Sequence, residues 1–441
     1  MTTTWWCPTA WLPDGPTDSV RITVAGGRIA AVERAVAAQA GDDRLTGLVL
    51  PGFADAHSHA FHRALRGRTH GPGDFWAWRE QMYRVAGALD PDSYLDLARA
   101  VYAEMALAGV TAVGEFHYLH RPAPGRRYDD PNAMAEALRA AAADAGVRLT
   151  LLDTCYLTGG IGRPLEGVAR LFSDDDAGAW AERVERLRPG PGFLVGAAVH
   201  SVRAVPRVAI AAVAAWARDR GVPLHAHLSE QVAENDESLA AYGLSPTQVL
   251  AEAGFLTPGA TVVHGVHVSE ADRRLLGAAR TTTCVCPTTE RDLADGIAPA
   301  RALLSAGSPL CLGSDQHATV DLLAEAQALE MHERLVSGRR GVFTPVELVE
   351  ALTSAGHRAI GRPDGGVLAV GAPADLVAVR TDTVRTAGCD PAQLVLVAGA
   401  GDVDTVVVGG DVVVRHGHHR VGDVAALLGD AVRRVLEQAG R

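Results

Sequence analysis

Between about residues 51 and 365 the chain alternates short apolar runs with Ala-rich stretches of helical spacing, eight times over. The runs are Leu48 to His57, Val110 to Phe116, Arg148 to Tyr156, Leu194 to His200, Val222 to Leu228, Ala260 to His264, Thr281 to Cys286 and Pro309 to Asp315. Helical stretches such as Val208 to Arg218 and Leu322 to Leu335 lie between them. Strands that are apolar on both faces need cover on both faces. Eight strand-helix units in series predict an α/β fold, a closed (β/α)8 barrel of the TIM type. The barrel is expected over residues 51–365.

The ends of the chain carry a different period. Residues 18–35 alternate and turn at Gly26-Gly27, and residues 366–380 and 402–417 have the same character. These segments predict hairpins of a small β-sandwich domain built from residues 1–50 and 366–441. Val421 to Gln438 has helical apolar spacing and is expected to pack on the outside as a C-terminal helix.

Polar residues interrupt the apolar pattern at the strand ends. His57 and His59 end the first, His200 the fourth, His227 with Glu230 the fifth, His264 the sixth and Asp315 the eighth. Alternate residues on a strand point the same way, so a His-x-His pair can address one point. The C-terminal strand ends of such a barrel carry its chemistry. Imidazoles joined there by a carboxylate have the composition of a catalytic divalent-metal site. Cys284 and Cys286, in CVCP, are expected to be buried strand packing, and the six scattered cysteines do not form a disulfide framework. Arg415 to His419 (RHGHH) is expected to be a solvated turn.

Net charge and hydropathy narrow the partners. A formal charge of −11 without a basic stripe disfavours a nucleic-acid partner, and none is expected. Apolar content of 48 % with 21 % charged residues fits an ordinary globular protein, and no apolar run suggests a membrane span. Met1-Thr-Thr-Thr-Trp-Trp lacks the basic and apolar regions of a secretory leader, so a cytoplasmic protein is expected.

With these residues in place, the chain resembles the amidohydrolase superfamily. The resemblance rests on HSH after the first strand, HLSE around the fifth, the His of the sixth, the Asp of the eighth, and GVLAVGAPADLV at Gly366 to Val377. It implies one divalent metal ion, with zinc the expected identity, held by His57, His59, His227 and Asp315. Binuclear members use a carboxylated lysine on the fourth strand; this chain contains no lysine at all. The mononuclear, deaminase-like pattern remains. It implies that Glu230 moves the proton of an attacking water to the substrate nitrogen, with His264 and Asp315 holding and deprotonating that water.

The segments AHSHAFHRAL, FWAWRE, EFHYLH, HSVRAV, HAHLSEQ, CPTTERDLADG and GSDQH are together similar to formimidoylglutamate deiminases. This resemblance implies hydrolysis of N-formimidoyl-L-glutamate to N-formyl-L-glutamate and ammonia in histidine degradation. It assigns Arg79, Tyr118, His200 and Arg203 to the substrate, a small dicarboxylate that guanidinium groups grip in bidentate fashion. His62 stands where many members are expected to carry Gln, and both side chains donate a hydrogen bond. His317 is a candidate for substrate contact or for support behind the ligands. Trp76 and Trp78 are expected to serve loop packing or dimer contacts. A homodimer is expected by analogy alone. An aromatic-base deaminase of the guanine-deaminase kind is the alternative activity, and a non-catalytic scaffold the remote one.

Overall fold

The computed structural model describes residues 2–69 and 75–440, with the side chains of residues 75–77 outside that description. Eight parallel strands form the central sheet: Phe53–Ser58, Val110–His117, Arg148–Cys155, Phe193–Val199, Leu224–Leu228, Ala260–His264, Thr282–Val285 and Leu310–Leu312. Each pairs with its neighbour in sequence. The ring closes between the last and the first. Asp315 N donates to His57 O at 2.9 Å, and His59 N donates to Asp315 O at 3.1 Å. The expected (β/α)8 barrel is therefore formed, with helices such as Arg207–Arg220 and Leu322–Ser337 outside it.

Gly313 makes that closure possible. A Cβ there would lie 2.7 Å from His57 O and 2.8 Å from His57 Cβ. Only a residue without a side chain lets the eighth strand approach the first this closely.

The single run expected from Leu48 to His57 is two strands. Leu48–Pro51 belongs to a second sheet and Phe53–Ser58 to the barrel. Gly52 is the break, and its N–H is taken by Asp375 O at 3.0 Å. The second sheet has nine strands. Its path runs from His418–His419 through Asp411–Arg415, Val403–Val408, Leu376–Val379, Leu48–Pro51, Thr2–Leu12 and Gly15–Ala25 to Arg28–Glu33, with Asp43–Arg44 beside Thr2–Leu12. Both ends of the chain build it, around a small core that includes Trp5, Ile22, Leu376 and Val407.

Residues 18–35 and 402–417 form the expected hairpins. Residues 366–380 do not: only Leu376–Val379 is a strand. The part before it crosses the edge strand, with Gly371 N donating to Ile29 O and Ile29 N to Ala372 O. Pro373 removes a donor that a regular ladder needs.

Arg148 joins the two sheets. It opens the third barrel strand, and its guanidinium meets Asp375 through Nη2–Oδ1 at 2.8 Å and Nε–Oδ2 at 3.1 Å. The C-terminal helix, Val424–Ala439, packs Val424, Leu428, Ala431 and Val435 inward and ties to the helix Pro91–Leu107 through Arg434 and Asp96. His419 is not in a solvated turn. It is buried, with Nε2 3.0 Å from Ala145 O. Among the described residues, no helix is long and apolar enough to cross a membrane.

Candidate metal centre

Four side chains converge at the C-terminal mouth of the barrel. One ligand atom from each of His57, His59, His227 and Asp315 lies within 4.8 Å of the others, and all four residues are buried. His57 Nε2 is 3.3 Å from Asp315 Oδ1, His59 Nε2 is 3.5 Å from the same oxygen, and His227 Nε2 is 3.2 Å from His57 Nε2.

The tautomers follow from the partners on the far side of the rings. His59 Nδ1 donates to Phe116 O at 2.9 Å, and His227 Nδ1 donates to His200 O at 2.8 Å. A carbonyl only accepts, so the proton of each neutral ring sits on Nδ1 and Nε2 presents a lone pair. Burial, and then the neighbouring imidazoles, hold both rings well below the usual histidine range, so they stay neutral. Burial likewise lowers His57. Burial opposes ionisation of Asp315, yet His57 and His264 around it hold its carboxyl below the ordinary carboxylate value. Inward-facing lone pairs beside one carboxylate repel each other unless a cation lies among them. This donor set of three imidazoles and one carboxylate fits a divalent ion.

A second group stands beside the first. His264 Nε2 lies 3.8 Å from Glu230 Oε1 and 3.9 Å from Asp315 Oδ2. His264 Nδ1 lies 3.4 Å from Glu290 Oε1, and that oxygen also accepts from Cys286 N at 2.9 Å. Burial disfavours charge on His264, but Glu230, the bond to Glu290 and Asp315 outweigh it and push its pKa up to about 10. A cation held by Asp315 acts on His264 in the opposite direction. Ser229, His264, Asp315 and His317 all carry φ between 45 and 72°. Non-glycine residues adopt this backbone where the surroundings over-determine it, as at functional sites.

Beneath the four converging residues lies a layer that sequence reasoning did not find. Asp55 Oδ1 accepts from His57 N and Ser314 N, and burial pushes Asp55 up to about 7. Glu115 accepts from Ser58 Oγ at 2.8 Å and from Ala60 N at 2.7 Å, and burial pushes it up to about 8. Both acids sit inside strands, where periodicity alone cannot separate them from core. Glu290 lies within the CPTTERDLADG segment, but its role becomes visible only through the distance to His264. Cys284 and Cys286 are buried as expected, although Cys286 also lies close to His264 and Asp315.

A cavity opens above the four converging residues. His62, Arg79, Tyr118, His200 and Arg203 all line it, together with Glu230 and His264. Arg79 lies on the helix Phe75–Ala88, not on a loop. Trp78, from the same helix, also faces this cavity and meets His62 edge to face with ring centres 5.3 Å apart. Trp78, expected to serve loop packing or dimer contacts, thus stands on a helix and lines the cavity; the side chain of Trp76 lies outside the described residues. His62 Nε2 is 3.0 Å from Tyr118 Oη. Tyr156 and Phe172 were missed by sequence reasoning and complete an aromatic wall. His317 is not among the lining residues; its Nε2 is 2.9 Å from Ser58 Oγ behind the ligands. His225, two residues below His227, bonds Ala359 O at 2.8 Å.

A third group, His117, His120 and Asp153, has metal-like composition. Arg183 occupies it, with Nη2 2.7 Å from Asp153 Oδ1 and 3.2 Å from His120 Nε2. The guanidinium supplies the positive charge that a cation would bring.

Comparison with known proteins agrees with this geometry. The model of the amidohydrolase family matches residues 48–413, and that of the N-terminal domain of the formimidoylglutamate deiminase HutF matches residues 6–46. A formimidoylglutamate deiminase of Pseudomonas aeruginosa is 35 % identical, covering 93 % of this chain and 94 % of its own. An 8-oxoguanine deaminase of the same species is 31 % identical over 86 % and 85 %. The crystal structure of an amidohydrolase from Brucella melitensis superposes with a TM-score of 0.92 at 31 % identity, covering 98 % of this chain and all of that one. A zinc-bound adenosine deaminase from Xanthomonas campestris shares the fold, with a TM-score of 0.85 at 23 % identity, covering 99 % of this chain and 98 % of that one. The chain belongs to the amidohydrolase family.

Proposed function

We propose that the protein hydrolyses the formimidoyl group of N-formimidoyl-L-glutamate, releasing ammonia and N-formyl-L-glutamate, a step of histidine degradation. The carrying observation is that Arg79 and Arg203 line the same cavity as Glu230 and the metal residues. Two guanidinium groups suit a substrate with two carboxylates. The deiminase from Pseudomonas aeruginosa, similar over nearly the whole chain, supports the same reading.

His57, His59, His227 and Asp315 would hold the ion, and zinc suits three imidazoles and a carboxylate best. A bound divalent ion supplies Lewis acidity that makes a water molecule easier to deprotonate near neutral pH. The chain's own residues do the rest. Asp315 and His264 orient the attacking water. Glu230, 3.8 Å from His264, accepts a water proton and delivers it to the departing nitrogen. A C–O bond forms at the formimidoyl carbon as its C=N bond becomes single. The remaining hydroxyl proton then passes by way of Asp315 to the nitrogen as the formyl C=O forms, so the C–N bond breaks and nitrogen, having gained both water protons, leaves as ammonia. Tyr118, with His62 Nε2 at 3.0 Å, is oriented to donate to a substrate carboxylate. His317 supports the site from behind. We further propose a cytoplasmic homodimer with no nucleic-acid or membrane partner.

The aromatic wall of Trp78, Tyr118, Tyr156 and Phe172 favours a second reading, a planar purine-like substrate. An ammonia-release assay on N-formimidoyl-L-glutamate, guanine and 8-oxoguanine, run side by side on metal-loaded protein, decides between them. Turnover of the linear amidine is expected; turnover of a purine alone overturns the proposal.

A further inference from the structure

Glu234 is a buried carboxylate that the mechanism above does not use. It lies in the first turn of the helix Val232–Tyr242 and is fully buried. Its two oxygens face two different parts of the site. Oε1 accepts from Ser229 N at 3.1 Å. Ser229 carries φ 48° and stands between the strand of His227 and Glu230. Oε2 lies 3.3 Å from Arg203 Nε.

That second contact is an ion pair without a hydrogen bond. Glu234 Oε2 and Arg203 Nε are both buried, and neither has a hydrogen-bond partner. Arg203 is therefore held by charge on its Nε edge. Arg203 lines the cavity above the candidate metal residues and also an adjoining cavity; Glu234 lines only the adjoining one. The guanidinium reaches from Glu234 towards the reaction space. Glu230 and Glu237 also attract Arg203. Without Glu234, Glu230, the proton carrier of the proposed reaction, is left among the carboxylates that attract Arg203.

We propose that Glu234 is a positioning residue for the proposed deimination. It anchors Arg203 for a substrate carboxylate and fixes the Ser229–Glu230 turn with its other oxygen. The inference rests on the deiminase reading. It adds that recognition and proton transfer share one buried carboxylate. The two functions are separable because Gln keeps an oxygen for Ser229 N but loses the charge that holds Arg203.

Steady-state kinetics of the metal-loaded enzyme test this. Glu234→Gln is expected to raise KM for N-formimidoyl-L-glutamate about tenfold with kcat within about twofold, a loss of binding shared by ground and transition states. Glu234→Ala is expected to lower kcat as well, because Ser229 N loses its acceptor. N-Formimidoyl-4-aminobutyrate and N-formimidoyl-2-aminobutyrate each lack one carboxylate. The KM penalty of Glu234→Gln should vanish for the one lacking the carboxylate that Arg203 holds. Glu234→Asp should restore part of the lost affinity. An unchanged or lower KM in Glu234→Gln, or equal penalties with both truncated substrates, overturns the proposal while leaving the deiminase reading standing. Absence of turnover by the unmodified enzyme overturns both. Metal content and unfolding temperature, measured in parallel, identify a variant that merely fails to fold; Glu234→Asp then carries the test through its KM.

Discussion

Asp315 meets His57 twice. Its backbone N–H donates to His57 O at 2.9 Å, and its Oδ1 lies 3.3 Å from His57 Nε2. The first contact closes the barrel and the second belongs to the proposed metal centre. Closure and metal binding are therefore linked, and whatever binds the folded centre stabilises the closed ring. Chelation is expected to lower the unfolding temperature. The loss approaches about 4 kcal/mol when free metal had been a thousandfold above its Kd. Calorimetry of loaded and chelated protein measures it, and equal unfolding temperatures would refute the link.

Gly313 is where that link is most easily broken. Its Cβ position is 2.7 Å from His57 O and 3.0 Å from His57 N, atoms of a buried strand that cannot give way cheaply. Gly313→Ala is expected to cost about 1–3 kcal/mol through overpacking. It should also displace His57 from the other ligands. Metal analysis of the folded variant checks this, with a clear drop in stoichiometry expected.

Glu230 tests the proton path. It lies close to His264 but is not one of the four converging ligand residues. Glu230→Gln should keep the metal and the fold while kcat falls by about 10²–10⁴, the usual worth of a positioned acid–base group. Metal analysis beside single-turnover rates separates this from ligand loss. Retained turnover would reassign the proton transfer to His264.

The barrel was legible because its strands are apolar on both faces, a pattern that survives uncertainty in any one strand. The convergence of His57, His59, His227 and Asp315 was legible because each sits just where an apolar run ends. The run from Leu48 to His57 hid a change of sheet, since Pro51 and Gly52 interrupt a stretch that stays buried on both sides. Residues 366–380 misled because alternation does not reveal that Gly366 to Asp375 cross an edge instead of pairing along it. Asp55, Glu115 and Glu290 were invisible for a further reason. Each acts through a partner far away in sequence: Ser314, Ser58 and His264 respectively.

Glu290 illustrates what such partners do. Its Oε1 faces His264 Nδ1 at 3.4 Å and accepts from Cys286 N, so it fixes the ring whose other nitrogen faces Glu230 and Asp315. Glu290→Gln leaves the shape and removes the charge. Loss of such an orienting partner typically costs about 10–100-fold in activity. The expected result is a fall of that size in kcat with metal content retained, and unchanged kcat would remove Glu290 from the proton path.

Arg183 tests stability away from the site. It is buried between Asp153 and Asp174, with Nη2 2.7 Å from each and Nη1 2.8 Å from Asp153 Oδ2. Removing one partner of a buried ionic group leaves uncompensated charge, so Arg183→Leu is expected to cost about 3–5 kcal/mol. The pH dependence has a definite sign. Burial opposes ionisation of Asp153, but Arg183 outweighs it and brings the carboxyl from the ordinary 3.8 down to about 2. A lowered native pKa means that this stability is fully present above 3.8 and is lost as pH falls towards 2. In Arg183→Leu the same carboxyl has burial without its guanidinium, so protonation relieves the variant. The stability gap between the two proteins should be largest near neutrality and should narrow as pH falls, first as the variant's buried Asp153 takes up its proton and then, below 3.8, as the unmodified protein loses the ion pair. Denaturant unfolding at stepped pH measures it; a gap that widens in acid would show that the Arg183–Asp153 pair does not carry the stability.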